Sequence, residues 1–207
     1  MKEYHKIQTV FKRDEKGRII EGDWTLPEFD LLQDIEWEWT EKIDGTNIRI
    51  IWDGEMVRFG GKTDNAQIPS FLLNVLQDLF PVEKMARVFT GPVCLYGEGY
   101  GAKIQKGGGN YLSDSVNFIL FDIRAGDWWL TRGAMIDIAF DLGINIVPLV
   151  GWGILKDAID MVGNGFKSMI SENKDFAAEG LVLRPKLELF ARNGERIITK
   201  IKSKDFV

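Results

Sequence analysis

The fold is decided by the stretch Glu41-Lys42-Ile43-Asp44-Gly45-Thr46-Asn47-Ile48-Arg49-Ile50-Ile51-Trp52-Asp53-Gly54. Residues 46–52 are rich in β-branched and aromatic side chains, which predicts a strand. Asp-Gly between two such runs is the strongest short-range hairpin signal, so we expect a second strand over Glu55 to Phe59. The lysine of this stretch therefore comes just before the first strand of an antiparallel hairpin.

Working outward from the hairpin, apolar residues at spacings of three and four predict helices over Pro69 to Phe80 and Thr131 to Leu142, and Gly143 ends the second. A further helical stretch over Leu155 to Ser171 is broken near Gly163-Asn164-Gly165. Strands are expected at Pro92 to Tyr96, Val116 to Ile123, Ile144 to Val150, Leu181 to Arg184 and Arg196 to Ile201. Because helices and strands do not alternate regularly, the pattern favours an α+β fold with antiparallel sheets flanked by helices over a doubly wound parallel sheet.

Length and composition limit the class of protein. A chain of 207 residues with 45% hydrophobic content can bury one sizeable core, so we predict one domain over residues 1–207. No apolar run approaches the roughly 20 residues that span a bilayer, and the N-terminus lacks the apolar segment of a signal peptide. We therefore expect a soluble, intracellular protein of the cytoplasm.

The one cysteine and the one histidine exclude several kinds of site. Cys94 cannot form an internal disulfide or a cysteine-rich zinc site, and its apolar neighbours predict a packed core thiol. With His5 as the sole imidazole, a triad built around a central histidine is not expected either.

Charge is unevenly distributed in a chain whose net charge is -5. Residues 21–41 carry only acidic charges, whereas residues 184–204 hold the basic side chains Arg184, Lys186, Arg192, Arg196, Lys200, Lys202 and Lys204. The basic segment could face phosphate, although ordinary solvated surfaces explain either segment equally well.

Two glycine motifs fail as nucleotide-binding signatures. Gly60-Gly61-Lys62-Thr63 ends like a P-loop, but the pattern needs glycine at Met56. Gly97-Glu98-Gly99-Tyr100-Gly101-Ala102 fits the dinucleotide pattern, yet the glycine-rich sequence that follows cannot open a helix. We interpret these glycines as flexible loop, with possible use as hinges or as backbone close to a ligand.

Five short sites remain, and their order along the chain is more specific than any one of them. They are Lys42-Ile43-Asp44-Gly45 with Asn47, Lys62 after Phe59-Gly60-Gly61, Glu98 in Tyr96-Gly97-Glu98, Phe121-Asp122, and Glu179-Gly180-Leu181-Val182 with Lys200-Ile201-Lys202. From about Glu36 to Phe206 this set resembles the covalent nucleotidyltransferase superfamily of polynucleotide ligases and RNA capping enzymes. It looks most like the RNA ligase 2 branch, because that branch carries Asn where DNA ligases carry Arg, and this chain has Asn47.

The resemblance implies a ligase/capping-enzyme nucleotidyltransferase (ATP-grasp-like) fold and a role for each site. Lys42 would be the nucleotidylated residue, with Lys200 and Lys202 as the further catalytic residues. Contacts to the nucleotide would come from Glu41, Ile43, Asn47, Lys62, Glu98, Phe121 and Glu179, with Phe121 stacking on the base. Asp44, Glu98 and Glu179 would bind the metal. Lys62 departs from the branch, which commonly has Arg there, and Lys lacks the planar fork of Arg.

The chemistry explains why such residues are needed. A lysine amine must be neutral to attack the α-phosphorus of ATP, and an ordinary lysine pKa of roughly 10.4 makes neutrality near pH 7 cost on the order of 4 to 5 kcal/mol. Nearby positive charge lowers that cost, and Lys200, Lys202 and Mg²⁺ or Mn²⁺ are the expected sources. Alternation along an extended chain puts Lys200 and Lys202 on one face.

We therefore expect an ATP-dependent RNA ligase that joins 5′-phosphate and 3′-hydroxyl RNA ends through lysyl-AMP. The alternatives are a DNA ligase or a capping guanylyltransferase of the same superfamily, or an RNA-end-binding module without turnover. Larger relatives carry a C-terminal domain after the K-x-K motif, whereas this sequence stops at Val207. We expect that an accessory protein could replace that domain, and that sealing of pre-adenylylated ends would survive better than ligation from ATP.

Overall fold

The structure is a computed structural model that describes residues 3–206. Its strands are β1 Gln8–Thr9, β2 Phe11–Arg13, β3 Ile19–Trp24, β4 Trp37–Glu41, β5 Thr46–Trp52, β6 Val57–Gly60, β7 Val93–Gly101, β8 Val116–Ala125, β9 Trp128–Trp129, β10 Asn145–Ile146, β11 Leu149–Gly153, β12 Gly180–Pro185 and β13 Thr199–Lys202. Its α-helices are α1 Pro27–Leu31, α2 Ser70–Leu79, α3 Val82–Val88, α4 Arg132–Leu142 and α5 Leu155–Asn164. Short 3₁₀ helices cover Gly108–Asn110 and Ser203–Phe206.

The chain divides into two compact units. The first contains Asp44–Val147 with residues 3–5, and the second contains Lys6–Ile43 with residues 148–206. The division into two compact units does not test the expectation of a single domain over residues 1–207, which stays a prediction.

The first unit is built on a sheet with strand order β10-β8-β7-β5-β6, to which β9 adds by pairing with β8. Its long strands are antiparallel, and the short β10 runs parallel to β8. Alternate residues of β5, such as Ile48 and Ile50, are fully buried in a core with Leu72 and Leu76 of α2. The remaining residues of β5 point to the opposite face, which leaves Asn47 and Arg49 on the polar side.

The second unit contains a sheet with strand order β1-β13-β12-β4-β11 and a separate β2–β3 ribbon. Strand β4 pairs antiparallel with β12 and β11, β12 pairs antiparallel with β13, and β1 lies parallel to β13. Its core joins Trp37 and Trp39 of β4 with Leu181, Leu183 and further apolar side chains, namely Phe29, Leu155 and Ile201. The α+β architecture with antiparallel sheets flanked by helices is thereby confirmed.

Several predicted elements need correction. The strand expected over residues 144–150 is two strands, β10 and β11, because the chain leaves the first sheet at Val147 and Pro148 has no N–H to donate. The second hairpin strand begins at Val57, because the Asp53 carboxylate accepts hydrogen bonds from the N–H groups of Glu55 and Met56 and closes a longer turn. The helix after Leu155 ends at Asn164, the break that the glycines predict.

The interpretation of Gly97, Gly99 and Gly101 as flexible loop is wrong, because all three lie within β7. A Cβ at Gly97 would come 2.2 Å from the Phe118 ring, so the glycine is required by close packing between strands. Cys94 of the same strand is buried, and that burial raises the pKa of its thiol, which confirms a core position.

Candidate active site

In the second unit, one carboxylate is shared by two of the predicted catalytic lysines. The Glu179 side chain accepts from Lys42 Nζ through Oε2 and from Lys202 Nζ through Oε1, each over 2.5 Å. The three side chains are 21%, 18% and 16% exposed for Lys42, Lys202 and Glu179, so each is shielded from water but still reachable. The structure thus brings together residues from three predicted motifs.

Backbone pairing explains how these side chains meet. Lys42 follows β4 directly and its N–H donates to the Gly180 carbonyl over 2.9 Å, while Gly180 is the register partner of Lys202. A Cβ at Gly180 would lie 2.1 Å from the Ile201 carbonyl oxygen. Glycine after Glu179 therefore lets β12 approach β13 closely enough for one carboxylate to reach both lysines.

The charge balance of this cluster favours an anion. Two ammonium groups and one carboxylate leave one positive charge in excess, and partial burial weakens its screening by solvent. Lys200 lies two residues before Lys202 on β13, so strand alternation puts both lysines on one face, as predicted.

Glu41 lies on a different side of its strand from the lysine that follows it. Its carboxylate accepts from Ser168 Oγ over 2.5 Å and from the Met169 N–H over 2.8 Å, and the side chain is buried. Burial raises the pKa of Glu41, and the two hydrogen bonds oppose that rise. In this structure Glu41 therefore anchors residues 168–169 to β4, and its predicted nucleotide contact stays a prediction, as does that of the buried Ile43.

A support for Lys202 was missed by sequence reasoning. Asp205 Oδ2 accepts from the Lys202 N–H over 3.0 Å, and Asp205 Oδ1 lies 2.5 Å from Arg13 Nη2. Asp205 is buried, so the pair ties the end of β13 to β2. An acid three residues after the last lysine was the available local signal, but nothing in the sequence indicates Arg13 as its partner.

In the first unit, Asn47 and Glu98 are register partners on β5 and β7. Asn47 Oδ1 is buried and has no hydrogen-bond partner among the described residues. Asp44 donates its N–H to the Tyr111 hydroxyl over 3.2 Å. A Cβ at Gly45 would lie 2.3 Å from the Gly99 carbonyl oxygen, which explains why glycine follows Asp44.

Lys62 is exposed in a loop held by a buried arginine that sequence reasoning did not select. Arg49 Nε donates to the Gly61 carbonyl over 2.8 Å, and Arg49 Nη2 lies 2.7 Å from Asp64 Oδ1. The guanidinium therefore contacts the loop on both sides of Lys62, at Gly61 and at Asp64.

Phe121 is the extra residue of a bulge, since Tyr96 pairs with Asp122 and Gly97 with Leu120. Tyr4 lies edge-on to Phe121 with 5.0 Å between ring centroids, and its hydroxyl donates to Asp122 Oδ2 over 2.8 Å. Tyr4 is thus an aromatic neighbour of the predicted stacking ring, and no motif pointed to it.

Within residues 3–206, no three carboxylate, imidazole or thiol side chains cluster as a ready-made metal site. The metal-binding roles of Asp44, Glu98 and Glu179 therefore stay predictions.

In the same part of the chain no helix is long and apolar enough to cross a membrane.

Comparison with known proteins decides the family. A sequence model of the RNA ligase family matches residues 35–202. The chain belongs to the RNA ligase family. That match spans every residue selected above for a catalytic, nucleotide or metal role, from Glu41 to Lys202. No curated protein matches the sequence significantly.

Solved RNA ligases show the same fold at low sequence identity. One structure, a Naegleria gruberi RNA ligase variant with ATP and Mn, matches with a TM-score of 0.68 and 18% identity over 87% of this chain and 52% of that chain. A second variant with ATP and Mn gives a TM-score of 0.72 and 16% identity over 100% and 57% of the two chains. The Naegleria gruberi RNA ligase with PPi matches with a TM-score of 0.67 and 18% identity, over 98% of this chain and 62% of that chain. This chain spans between 52% and 62% of the length of these relatives.

Proposed function

We propose that this protein is an ATP-dependent RNA ligase that joins 5′-phosphate and 3′-hydroxyl RNA ends through a lysyl-AMP intermediate at Lys42. The observation that carries the proposal is the carboxylate of Glu179 between Lys42 and Lys202, with both nitrogen–oxygen distances at 2.5 Å. A candidate nucleophile is thereby held next to a second cation, in a family whose name describes this activity.

In the first step, Lys42 Nζ attacks the α-phosphorus of ATP, a P–N bond forms and the P–O bond to pyrophosphate breaks. An oxygen of the RNA 5′-phosphate then attacks the same phosphorus, which releases the Lys42 amine. Finally, the 3′-hydroxyl attacks the RNA 5′-phosphorus and AMP leaves. Lys200 and Lys202 would neutralise charge on the phosphates during these steps, since phosphoryl transfer depends mainly on positioning and charge neutralisation.

The Lys42 ammonium must lose a proton before it attacks. Glu179 Oε2 already accepts a hydrogen bond from Lys42 Nζ, so it is the nearest identified acceptor for that proton. Because the other oxygen of Glu179 holds Lys202, the same carboxylate also fixes the distance between the nucleophile and the neutralising cation.

Nucleotide and metal would be held by the remaining predicted residues. The carboxylates of Asp44, Glu98 and Glu179 are hard oxygen donors, which suit Mg²⁺ or Mn²⁺. Such a cation, when bound, neutralises negative charge on the phosphates. The buried Asn47 Oδ1, which has no hydrogen-bond partner within residues 3–206, would accept from a ribose hydroxyl or a hydrated cation.

The base and the sugar would be recognised by residues outside the lysine cluster. Phe121 would stack on adenine, Lys62 would contact ribose or an RNA phosphate, and Glu41 and Ile43 would contact the nucleotide from either side of Lys42. The Naegleria structures with ATP and Mn support ATP and a divalent cation as ligands here. We also propose that the protein acts in the cytoplasm.

The test is covalent labelling. The protein is incubated with α-labelled ATP and Mg²⁺, denatured, and examined for bound label. We expect label on the unaltered protein and none on Lys42→Ala, whereas Lys156→Ala, which removes a 72% exposed lysine, should label normally. Absence of label from the unaltered protein, or full label on Lys42→Ala, would contradict the proposal.

Parallel reactions separate the alternatives. Stronger labelling by GTP than by ATP would favour a capping enzyme, and sealing of DNA nicks alone would favour a DNA ligase. Binding of 5′-phosphorylated RNA without any consumption of ATP would favour an end-binding module.

A further inference from the structure

The segment Gly101–Tyr111, here called the glycine loop, is an ordered structure. Ala102 donates its N–H to the Ser115 carbonyl over 2.8 Å, and Gly108 donates to the Gln105 carbonyl over 2.9 Å. A Cβ at Gly108 would lie 2.0 Å from the Gly101 carbonyl oxygen, so Gly108 packs closely against the first residue of the loop. The loop is therefore a folded feature of the first unit, in contrast to the flexible stretch expected from its glycines.

The glycine loop is docked on the turn that follows Lys42 in the chain. Gln105 Nε2 donates to the Gly45 carbonyl over 2.9 Å. The hydroxyl of Tyr111, which is fully buried, accepts from the Asp44 N–H. Two side chains from different parts of the loop thus hold the backbone of Asp44 and Gly45.

Lys103 adopts a backbone conformation that favours glycine. Its φ is 67°. Among residues 3–206, no other residue except glycine has a positive φ. Such a conformation is unfavourable for a long side chain, and residues held in it cluster at functional sites. In a segment this rich in glycine, a lysine at this position indicates that its side chain is used.

The charge of the glycine loop also points to an anion. Residues 101–111 contain Lys103 and Lys106 and no acid, within a chain of net charge -5. Both lysines are exposed, and neither forms an ion pair with a carboxylate in the part of the chain that the structure describes. Lysines such as Lys12, Lys156 and Lys186, in contrast, pair with Asp or Glu.

We propose that Lys103 and Lys106 of the glycine loop bind a phosphate of the RNA substrate and hold it at the K-x-D-G turn. This inference rests on the proposed function and adds a substrate site to it. A lysine contact to phosphate is charge-assisted and carries no sequence information, so the loop would position the strand without reading its bases.

The test measures RNA binding without ATP, by fluorescence anisotropy over a range of salt. We expect the double variant Lys103→Gly/Lys106→Ala to bind RNA about tenfold more weakly at low salt. The slope of log K against log[salt] should fall by about 0.7 for each phosphate that the variant no longer neutralises. Lys103→Arg should restore the Lys103 contribution, and Lys156→Ala should bind as the unaltered protein does.

A melting curve distinguishes a binding role from a structural one. Glycine relieves the positive φ at position 103, so Lys103→Gly should show an unchanged or higher Tm while its RNA affinity falls. A comparison of RNA with a 5′-phosphate and RNA with a 5′-hydroxyl identifies the phosphate: weaker binding confined to the former assigns the terminal phosphate, and equal weakening assigns an internal one.

Two results would overturn the inference. One is RNA affinity of the double variant equal to that of the unaltered protein. The other is unchanged RNA affinity with a raised ATP requirement for labelling, which would assign the lysines to ATP. The comparison of RNA affinities is made without ATP and does not depend on whether the unaltered protein labels itself, so failure of the RNA site and failure of the proposed function are distinguishable.

Discussion

At the scale of single residues, two carboxylates beside the lysine motif carry out different tasks. Glu179 holds two ammonium groups, whereas Glu41, which directly precedes Lys42, bonds to neutral donors on Ser168 and Met169. A buried carboxylate with neutral partners is penalised by desolvation when it ionises, which is why the pKa of Glu41 is raised.

The raised pKa of Glu41 predicts a pH-dependent stability. Between the ordinary value of 4.5 and the raised pKa, the folded protein keeps a proton that the unfolded chain has lost. The contribution of Glu41 to stability is therefore full below the ordinary value and declines as pH rises through the raised pKa. Glu41→Gln stays neutral, and it can accept from the Met169 N–H through its oxygen and donate to Ser168 Oγ through its nitrogen, which reverses the bond to Ser168. Its Tm should therefore match the unaltered protein near pH 4 and exceed it near pH 8.

Thermal unfolding followed by circular dichroism from pH 4 to pH 8 checks this expectation. Glu55→Gln, which alters an exposed carboxylate, should leave the profile unchanged. A Tm of Glu41→Gln that falls below the unaltered protein as pH rises would show that the charge itself is stabilising.

Replacement of Arg49 should make a local segment more mobile and change the stability of the whole protein little. Arg49→Met fills similar volume, and the Asp64 carboxylate that loses its partner is 80% exposed and stays solvated by water, so no unpaired charge is left buried. The segment 61–66 loses both of its bonds to the guanidinium, so its amides should exchange hydrogen faster and labelling from ATP should fall with the loss of an ordered Lys62.

Hydrogen exchange with mass spectrometry measures the mobility of residues 61–66. Arg58→Met is the matched control, because Arg58 lies on the same hairpin, is more than half exposed and pairs with Asp53. Equal exchange in the Arg49 and Arg58 variants would show that Arg49 does not hold the loop.

At the scale of elements, glycine permits the closest strand contacts. Gly97→Ala would place a Cβ 2.2 Å from the Phe118 ring and 2.4 Å from the Ile119 carbonyl oxygen, so β7 and β8 would have to separate. Overpacking of this kind costs about 1 to 3 kcal/mol. Gly91→Ala meets nothing within 4 Å and should be nearly neutral. Urea unfolding of the two variants compares these costs, and equal midpoints would contradict the packing argument.

Elements with a local pattern could be predicted from the sequence. The apolar spacing of α2, the positive-φ Gly143 at the end of α4 and the β-rich run of β5 each act within a dozen residues. Strand β1 has two residues and forms only through a distant partner, with Thr9 beside Lys200, so no local signal exists for it. Strand β2 pairs with the nearby β3, but its three residues are too few to show a pattern. Strand β4 did carry a signal, the alternation of Trp37 and Trp39 with polar residues.

The candidate site was predictable to the extent that its chemistry demands particular residues. A nucleophilic lysine, its acidic partner and a K-x-K strand are required types, and the structure places Lys42, Glu179 and Lys202 together. The supports were not predictable, because Arg13 and Asp205 meet across 192 positions of sequence, and Tyr4 and Asp122 across 118. Many side chains could have filled such supporting places.

At the scale of the whole molecule, the two units differ in how their sheets are assembled. The first unit pairs strands within the continuous segment Asp44–Val147, whereas the second pairs β4 with β12, where Thr40 bonds to Val182 across 142 positions. Distant pairings close larger loops and slow folding. Amides of β5, β7 and β8 should therefore gain protection before those of β4, β12 and β13 during refolding.

Pulsed hydrogen exchange during refolding from urea measures this order. The amides of Ile50 and Leu95 report on the first unit, and those of Trp39 and Leu183 on the second, since all four residues are buried strand residues. Protection of Trp39 and Leu183 ahead of Ile50 and Leu95 would contradict the expected order.

The burial of Cys94 makes this chain suitable for site-specific fluorescence. The sequence has one cysteine, and its raised thiol pKa together with burial suppresses the exposed thiolate that reacts with maleimide dyes. A cysteine introduced by Gly109→Cys, at an exposed position of the glycine loop, would then be the one thiol that takes up a dye. Single-molecule recordings could follow that loop as RNA arrives, without first removing the native cysteine.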